Sequence, residues 1–244
     1  QRGQFTAAQL EAALSPRDDH FALPSLVCIE NTHNRGGGSV WPLAQIESVT
    51  STARGHGLAL HLDGARLWNA SVASGVSEAE YASYFDTVSV CFSKGLGAPV
   101  GSVLAGSADV IAKARFFRKQ QGGAMRQVGI LAAAAAYALE HNRDRLTDDH
   151  ANCRALADAL AKLPGWASAD DSTSKTYRFA GFPEAIGFIA EMAFACEKAN
   201  HHPELSNVYS TVTIRLCTHD AGNKVTEKDV NLAGEIEKLA KKRA

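Results

Sequence analysis

Short apolar runs alternate with amphipathic stretches along the first half of the chain. The runs typical of strands are residues 25–30, 58–62 and 87–92. The stretches with helical spacing are residues 6–14, 42–56 and 67–74. Strands separated by helices and joined by short loops form right-handed βαβ units. The pattern therefore predicts an α/β part with a mainly parallel sheet, in which ligands gather beyond the carboxyl ends of the strands.

The second half has a different order of elements. Alanine-rich helices are predicted at residues 128–141 and 144–163, followed by a strand at 175–179, a helix at 183–200, one long strand at 208–216 and a helix at 226–242 capped by Thr226. This order predicts a compact α+β unit with an antiparallel sheet and helices on one face. We expect two domains, residues 1–151 and 152–244.

Composition narrows the classes of function. The 244 residues carry a formal net charge of −1, which gives no global electrostatic case for binding nucleic acid directly or an anionic membrane. The five cysteines are far apart and odd in number, which favours reduced thiols in a cytoplasmic protein. The chain does not begin with Met or with a signal-type apolar core, so we expect it to be part of something longer.

Lys94 and Asp63 are candidates for cofactor chemistry. Each follows a predicted strand, and three glycines and a proline come within seven residues after Lys94. A pyridoxal phosphate enzyme needs a lysine for the cofactor's aldehyde and a carboxylate for its pyridine nitrogen. The alternative is that Asp63 caps the following helix and Lys94 is a solvated surface residue.

The first part also resembles the fold-type I threonine aldolases. The motifs that carry the resemblance are residues 30–34 (ENTHN), 61–66 (HLDGAR), 93–102 (SKGLGAPVGS) and 122–127 (GGAMRQ). The resemblance implies that Lys94 forms the Schiff base with pyridoxal phosphate, that Asp63 contacts the ring nitrogen and that Arg66 is a cation on the cofactor or substrate side. The implied reaction is cleavage of a β-hydroxy-α-amino acid to glycine and an aldehyde.

Parts of that family's pattern are not recognised in this sequence. They are the loop that holds the cofactor phosphate, the histidine that stacks on the ring and an arginine for the substrate carboxylate. The aldolase-like part is therefore expected to be truncated, and inactive if those parts are missing.

Three histidines are the candidate chemistry of the second part. His201 and His202 lie where a predicted helix ends, and His219 lies where the next strand ends. Imidazoles can act as acids and bases or bind metal, and loop histidines are often simply solvated. Because no metal-ligating spacing such as His-x-x-x-His appears, no metal site is expected.

Residues from about 152 to 244 resemble the pterin-4a-carbinolamine dehydratases along their whole length. The resemblance rests on Leu163–Trp166, on Asn207–Tyr209 and Thr218–Gly222, and on the spacing of Glu197, His201–Pro203, Tyr209, His219 and Asp229. It implies dehydration of a 4a-hydroxytetrahydropterin to the quinonoid dihydropterin without metal or organic cofactor. The implied catalytic residues are His201, His202 and His219, and those implied for substrate binding are Glu197, Pro203, Tyr209 and Asp220.

The sequence thus indicates a lyase built as a mosaic, a truncated aldolase joined to a complete dehydratase. The favoured activity is pterin dehydration, and threonine aldolase activity is the alternative. A third hypothesis is a non-catalytic dimerisation or coactivator module. We expect a homo-oligomer whose partners are small molecules, either a pterin or a β-hydroxy-α-amino acid.

Overall fold

A computed structural model describes residues 2–16, 18–169 and 171–243. The chain divides into two compact units, Gln1–His150 and Ala151–Ala244. The boundary falls inside one continuous helix, Leu146–Ala161.

The first unit contains a four-stranded sheet surrounded by helices. Its strands are Leu26–Glu30 (β1), Ala59–Gly64 (β2), Thr87–Cys91 (β3) and Ser102–Gly106 (β4). Its helices are Ala7–Ala13 (α1), Leu43–Gly55 (α2), Leu67–Ser74 (α3), Glu78–Ala82 (α4), Ala108–Gln120 (α5), Gly129–His141 (α6) and the start of Leu146–Ala161 (α7). The sheet order is β1-β2-β3-β4, with β1 to β3 parallel and β4 antiparallel. The prediction of a mainly parallel α/β part is confirmed, and β4 is an addition to it.

One face of this sheet forms the core of the unit. Val27 and Ile29 of β1 and Leu60 and Leu62 of β2 are buried with apolar residues of α1 to α4. The intervening side chains point to the opposite face because successive strand residues alternate. There, His61 Nδ1 lies 2.8 Å from Thr87 Oγ1 on the neighbouring strand. The second face is therefore more polar than is usual for a parallel sheet.

The second unit has an antiparallel sheet of order β5-β6-β8-β7. Its elements are Ala167–Ala169 (β5), Ser172–Arg178 (β6), Phe182–Ala199 (α8), Glu204–Val208 (β7), Thr211–Leu216 (β8), a 3-10 turn at His219–Ala221 and Glu227–Lys241 (α9). Val212, Ile214 and Leu216 of β8 are buried against α8 and α9, with Phe188 and Ile236 in the same core. The predicted α+β unit is confirmed.

The prediction of one long strand over residues 208–216 is wrong. The chain reverses at Tyr209, whose φ of 52° lies in the left-handed region, and a hairpin joins β7 to β8. Asn207 Nδ2 donates to the carbonyl oxygens of Tyr209 and Thr211, which stabilises the turn. The alternating pattern continues across the turn, so periodicity alone gave no sign of the break.

A buried carboxylate lies near each end of α9, Asp229 at the start and Glu237 towards the end. At its start, Thr226 and Asp229 form the capping box. Near its end, Glu237 Oε1 accepts hydrogen bonds from Trp166 Nε1 at 3.0 Å, from the Tyr177 hydroxyl at 2.5 Å and from Lys175 Nζ at 2.5 Å. Burial acts to raise the pKa of Glu237, but these bonds outweigh it and hold the pKa below its ordinary value. Burial and the bond to Glu237 raise the pKa of Tyr177.

No helix within residues 2–16, 18–169 and 171–243 combines the length and the apolar character that crossing a bilayer requires.

Candidate functional site

Lys94 lies in the loop that follows β3. Leu96 and Ala98 anchor this loop by burying their side chains against Ala138 and Leu146. Asn142 Nδ2 donates to the Leu96 carbonyl at 2.7 Å. Lys94 itself is exposed, and among the described residues its Nζ has no hydrogen-bond partner. The loop therefore presents a free amine on a fixed backbone.

Asp63 and Arg66 lie where the neighbouring strand β2 ends. Asp63 is half-buried, and its Oδ1 accepts the Ala65 N–H at 3.1 Å. Arg66 is the N-cap residue of α3 and is also half-buried. Neither Oδ2 of Asp63 nor the Arg66 guanidinium has a partner within the described ranges. Since β2 and β3 are parallel neighbours, Asp63 and the Lys94 loop both lie at the edge of the sheet where the strands have their carboxyl ends.

These side chains fit pyridoxal phosphate at two points. A carboxylate with one oxygen free suits a protonated pyridine nitrogen, and an unpaired amine suits an aldehyde.

In the second unit, the structure brings the three predicted histidines to one small cavity. Its volume is about 170 Å³. The residues that line it are Asn200, His201, His202, Thr218, His219, Asp220 and Lys228. Asn200 ends α8 in the left-handed conformation, with φ of 45°, and its N–H bonds the helix's last carbonyls. This reversal places His201 and His202 beside the turn that carries His219.

His201 is held by a buried carboxylate. Its Nε2 lies 2.7 Å from Asp229 Oδ1, and Asp229 Oδ2 accepts from the Thr218 hydroxyl and the Thr226 N–H, both at 2.7 Å. Burial acts to raise the pKa of Asp229, but the bonds from Thr226, Thr218 and His201 outweigh it and lower the pKa. An ionised carboxylate only accepts, so Nε2 of His201 donates and Nδ1 is the nitrogen left for a ligand.

His202 and His219 are both exposed at the cavity. His202 Nε2 lies 3.2 Å from Oε2 of Glu197, whose side chain is 84% exposed. His219 begins the 3-10 turn, with Asp220 beside it. The two rings therefore have access to solvent and to a bound molecule, in contrast to His201.

The structure does not bring all the predicted substrate-binding residues together. Pro203 follows His202 directly and is half-buried. Tyr209 lies in the β7–β8 turn with 71% of its surface exposed. That turn is the far end of the hairpin from the cavity. Five strand residues separate the two ends, a distance of about 17 Å.

Sequence reasoning missed three residues that line the cavity: Asn200, Thr218 and Lys228. Asn200 is the last residue of a predicted helix and directly precedes the two histidines, a position that favours a left-handed cap. Lys228 lies two residues after the predicted N-cap Thr226, and only the tertiary fold shows that it faces the histidines.

Family comparison agrees with the fold of the first unit. A family model described as beta-eliminating lyase matches residues 1–180. The chain belongs to the beta-eliminating lyase family. A second model, described as pterin 4 alpha carbinolamine dehydratase, matches residues 149–239. The predicted mosaic is thus confirmed, and the two matches share residues 149–180, a stretch that includes most of α7.

Individual curated relatives and solved structures are also similar to this chain. The low specificity L-threonine aldolase of Escherichia coli K12 is 48% identical over 158 residues, which are 65% of this chain and 46% of the relative. The solved threonine aldolase of Leishmania major shares the fold, with a TM-score of 0.64, 23% identity and coverage of 98% of this chain and 68% of that one. A transcriptional coactivator/pterin dehydratase from Brucella melitensis is 37% identical over 35% of this chain and 92% of its own, with a TM-score of 0.34.

The chain spans about half the length of the curated relatives it matches.

Proposed function

We propose that the second unit is a lyase that removes water from a 4a-hydroxytetrahydropterin and releases the quinonoid dihydropterin. The observation that carries this proposal is the cavity that His201, His202 and His219 share. The match of the pterin dehydratase model to residues 149–239 supports the choice of substrate.

The reaction needs one proton donor and one proton acceptor. The bond between C4a and the hydroxyl oxygen breaks, an acid protonates the departing oxygen to give water, and a base takes a ring N–H proton. His202 and His219 are exposed at the cavity and are proposed for these two roles. Imidazoles suit both because their ordinary pKa lies near neutrality. No organic cofactor or metal is needed for this step.

His201 is proposed to contact the pterin through Nδ1. Its ring is fixed by Asp229, so it binds and orients the substrate with little loss of side-chain entropy. Glu197 beside His202, Pro203 after it and Asp220 beside His219 are proposed to complete the binding site. Tyr209 remains a prediction from resemblance.

The test is a turnover assay on the purified full chain. Formation of the dihydropterin is followed by its absorbance, with the spontaneous rate subtracted. We expect His202→Ala and His219→Ala each to lower the rate by about 10²- to 10⁴-fold, the usual range for loss of an acid or base. His20→Ala is the control, because His20 is an exposed loop histidine of the first unit. A parent chain no faster than the spontaneous reaction would contradict the proposal.

A second proposed function is pyridoxal phosphate-dependent aldol cleavage by the first unit. It is favoured by Lys94 and Asp63 at the same edge of the sheet and by the identity to the aldolase of Escherichia coli. The cofactor would supply an electron sink for the α-carbon of the amino acid. Asp63 would hold its ring nitrogen, Lys94 would bind its aldehyde carbon, and Arg66 would neutralise an acidic group of the cofactor or substrate.

We also propose a cytoplasmic homo-oligomer. The edge strand β7 supports self-association, since it pairs only with β8 within the described chain and exposes Leu205 and Val208. If neither turnover nor cofactor binding is observed while the chain self-associates, the non-catalytic module is the function that remains.

A further inference from the structure

A second set of potential ligands lies beside the histidine cavity. The carboxylate of Glu204, the thiol of Cys217 and the imidazole of His219 have ligand atoms that all lie within 4.8 Å of one another. Carboxylate oxygen, thiolate sulfur and imidazole nitrogen are the three ligand types that zinc uses in proteins. Sequence spacing gave no sign of this set because its members come from the start of one strand, the residue after the next strand and a turn.

The strand register explains why these side chains meet. Glu204, the first residue of β7, is paired with Arg215 of β8. Val212, Ile214 and Leu216 point into the core, so Arg215 and Cys217 share the opposite face. Cys217 therefore lies diagonally across from Glu204, and the chain then turns at His219. The arrangement follows from ordinary β geometry.

The site has one fixed ligand and two adjustable ones. Cys217 is 8% exposed, whereas Glu204 and His219 are exposed. With zinc bonds of 2.0 to 2.3 Å, tetrahedral ligand atoms lie about 3.4 Å apart. Rotation of the two exposed side chains can close the remaining gap of at most about 1.4 Å between ligand atoms.

Arg215 is a cation that competes for Glu204, and it also orients the carboxylate. Its Nη1 donates to both oxygens of Glu204, at 2.9 and 2.8 Å, and its Nε donates to Ser172 Oγ at 2.8 Å. A carboxylate has about four lone-pair directions, so one can bind a metal while others keep the arginine. Hydrogen bonds of this kind commonly fix ligating carboxylates.

We propose that Glu204, Cys217 and His219 bind a divalent ion of the zinc class, and that the bound ion removes His219 from proton transfer. Binding replaces the S–H bond of Cys217 with a sulfur–metal bond and releases the proton to solvent. Three protein ligands leave a fourth position for water. The inhibitory part rests on the proposed dehydratase function; the binding part does not. This departs from the expectation, drawn from histidine spacing alone, that the chain has no metal site.

Cobalt(II) is the probe for binding, because a thiolate bound to it gives a near-ultraviolet charge-transfer band and tetrahedral geometry gives intense visible bands. We expect both in the reduced full chain, with one equivalent of zinc removing them. Cys217→Ser should abolish the charge-transfer band, while Cys153→Ser, which replaces an exposed helical cysteine, should keep it. Glu204→Gln should weaken binding at least tenfold, and Glu227→Gln should not. His219→Ala, at an exposed position, tests the third ligand without disturbing the core.

The second measurement is inhibition of dehydration by zinc, with each variant compared with its own metal-free rate. We expect the zinc concentration for half inhibition to rise at least tenfold in Cys217→Ser and to stay the same in Cys153→Ser. Absence of a charge-transfer band at millimolar cobalt, or its persistence in Cys217→Ser, would overturn the binding site. Cobalt binding in a chain without dehydratase activity would keep the site and reject the proposed function.

Discussion

The Nε2 atom of His201 lies 2.7 Å from Oδ1 of Asp229, a carboxylate with no exposed surface. One buried side chain thus caps α9, bonds the end of β8 through Thr218 and orients a cavity histidine. Stability and site geometry in the second unit therefore depend on the same residue.

Asp229→Asn tests this shared role. The amide keeps the volume but loses the charge, and its NH2 group is left facing donors. We expect the free energy of unfolding of the second unit to fall by about 2 kcal/mol, the usual contribution of hydrogen bonds to a buried charge. Hydrogen exchange of peptides from α9, followed at increasing urea concentration, measures this loss. Glu227→Gln, an exposed change in the same helical turn, should cost no more than about 0.5 kcal/mol. Equal effects of the two changes would contradict the assignment.

Acid should weaken the second unit selectively. The pKa values of Asp229 and Glu237 are both lowered in the folded chain. As the pH falls, the unfolded chain therefore binds more protons than the folded chain. The stability that these two groups contribute above the ordinary carboxyl pKa is lost below about pH 5. Hydrogen-exchange protection of α9, corrected for the intrinsic rate at each pH, should fall between pH 6 and pH 3. The double variant Asp229→Asn/Glu237→Gln should show a flatter profile; an unchanged slope would rule out these two groups as its cause.

Tyr177→Phe removes one of the donors on Glu237 Oε1. Lys175 and Trp166 still donate to that oxygen, so the expected loss of unfolding free energy is modest, about 1 kcal/mol. The midpoint of urea unfolding measures it. The matched change Tyr209→Phe removes a hydroxyl at an exposed turn and should leave the midpoint unchanged. A stability loss confined to Tyr209→Phe would show that the Glu237 network does not stabilise the unit.

Lys94 can be tested without any assay of turnover. After incubation with pyridoxal phosphate and reduction with borohydride, we expect a phosphopyridoxyl group on the peptide that contains Lys94, read by mass spectrometry. Lys94→Ala should abolish this labelling, and Lys113→Ala, which changes a lysine of α5, should not. Labelling spread evenly over many lysines would favour the solvated interpretation of Lys94.

The sequence predicted the parts of the fold that local physics determines. Leu67–Ser74 was predicted to the residue, and the cap at Thr226 was found because threonine before a helical stretch is a local N-cap signal. The strand over 208–216 failed because a left-handed tyrosine interrupts a continuous pattern. The antiparallel β4 follows a glycine- and proline-rich loop that gives no orientation signal.

The candidate sites divide in the same way. The three histidines were found because each lies at the end of an element, where side chains collect. Asp229 was noticed only for its spacing in the family resemblance, and its bond to His201 depends on tertiary packing. Lys228, Glu204 and Cys217 join the site through packing and β register, which no single stretch of sequence contains.

The hairpin between β7 and β8 puts Tyr209 and His202 at opposite ends of a strand pair. A two-ring heterocycle is shorter than that separation. If Tyr209 touches the pterin from a second copy of the chain, the rate per chain falls on dilution below the dissociation constant of the oligomer.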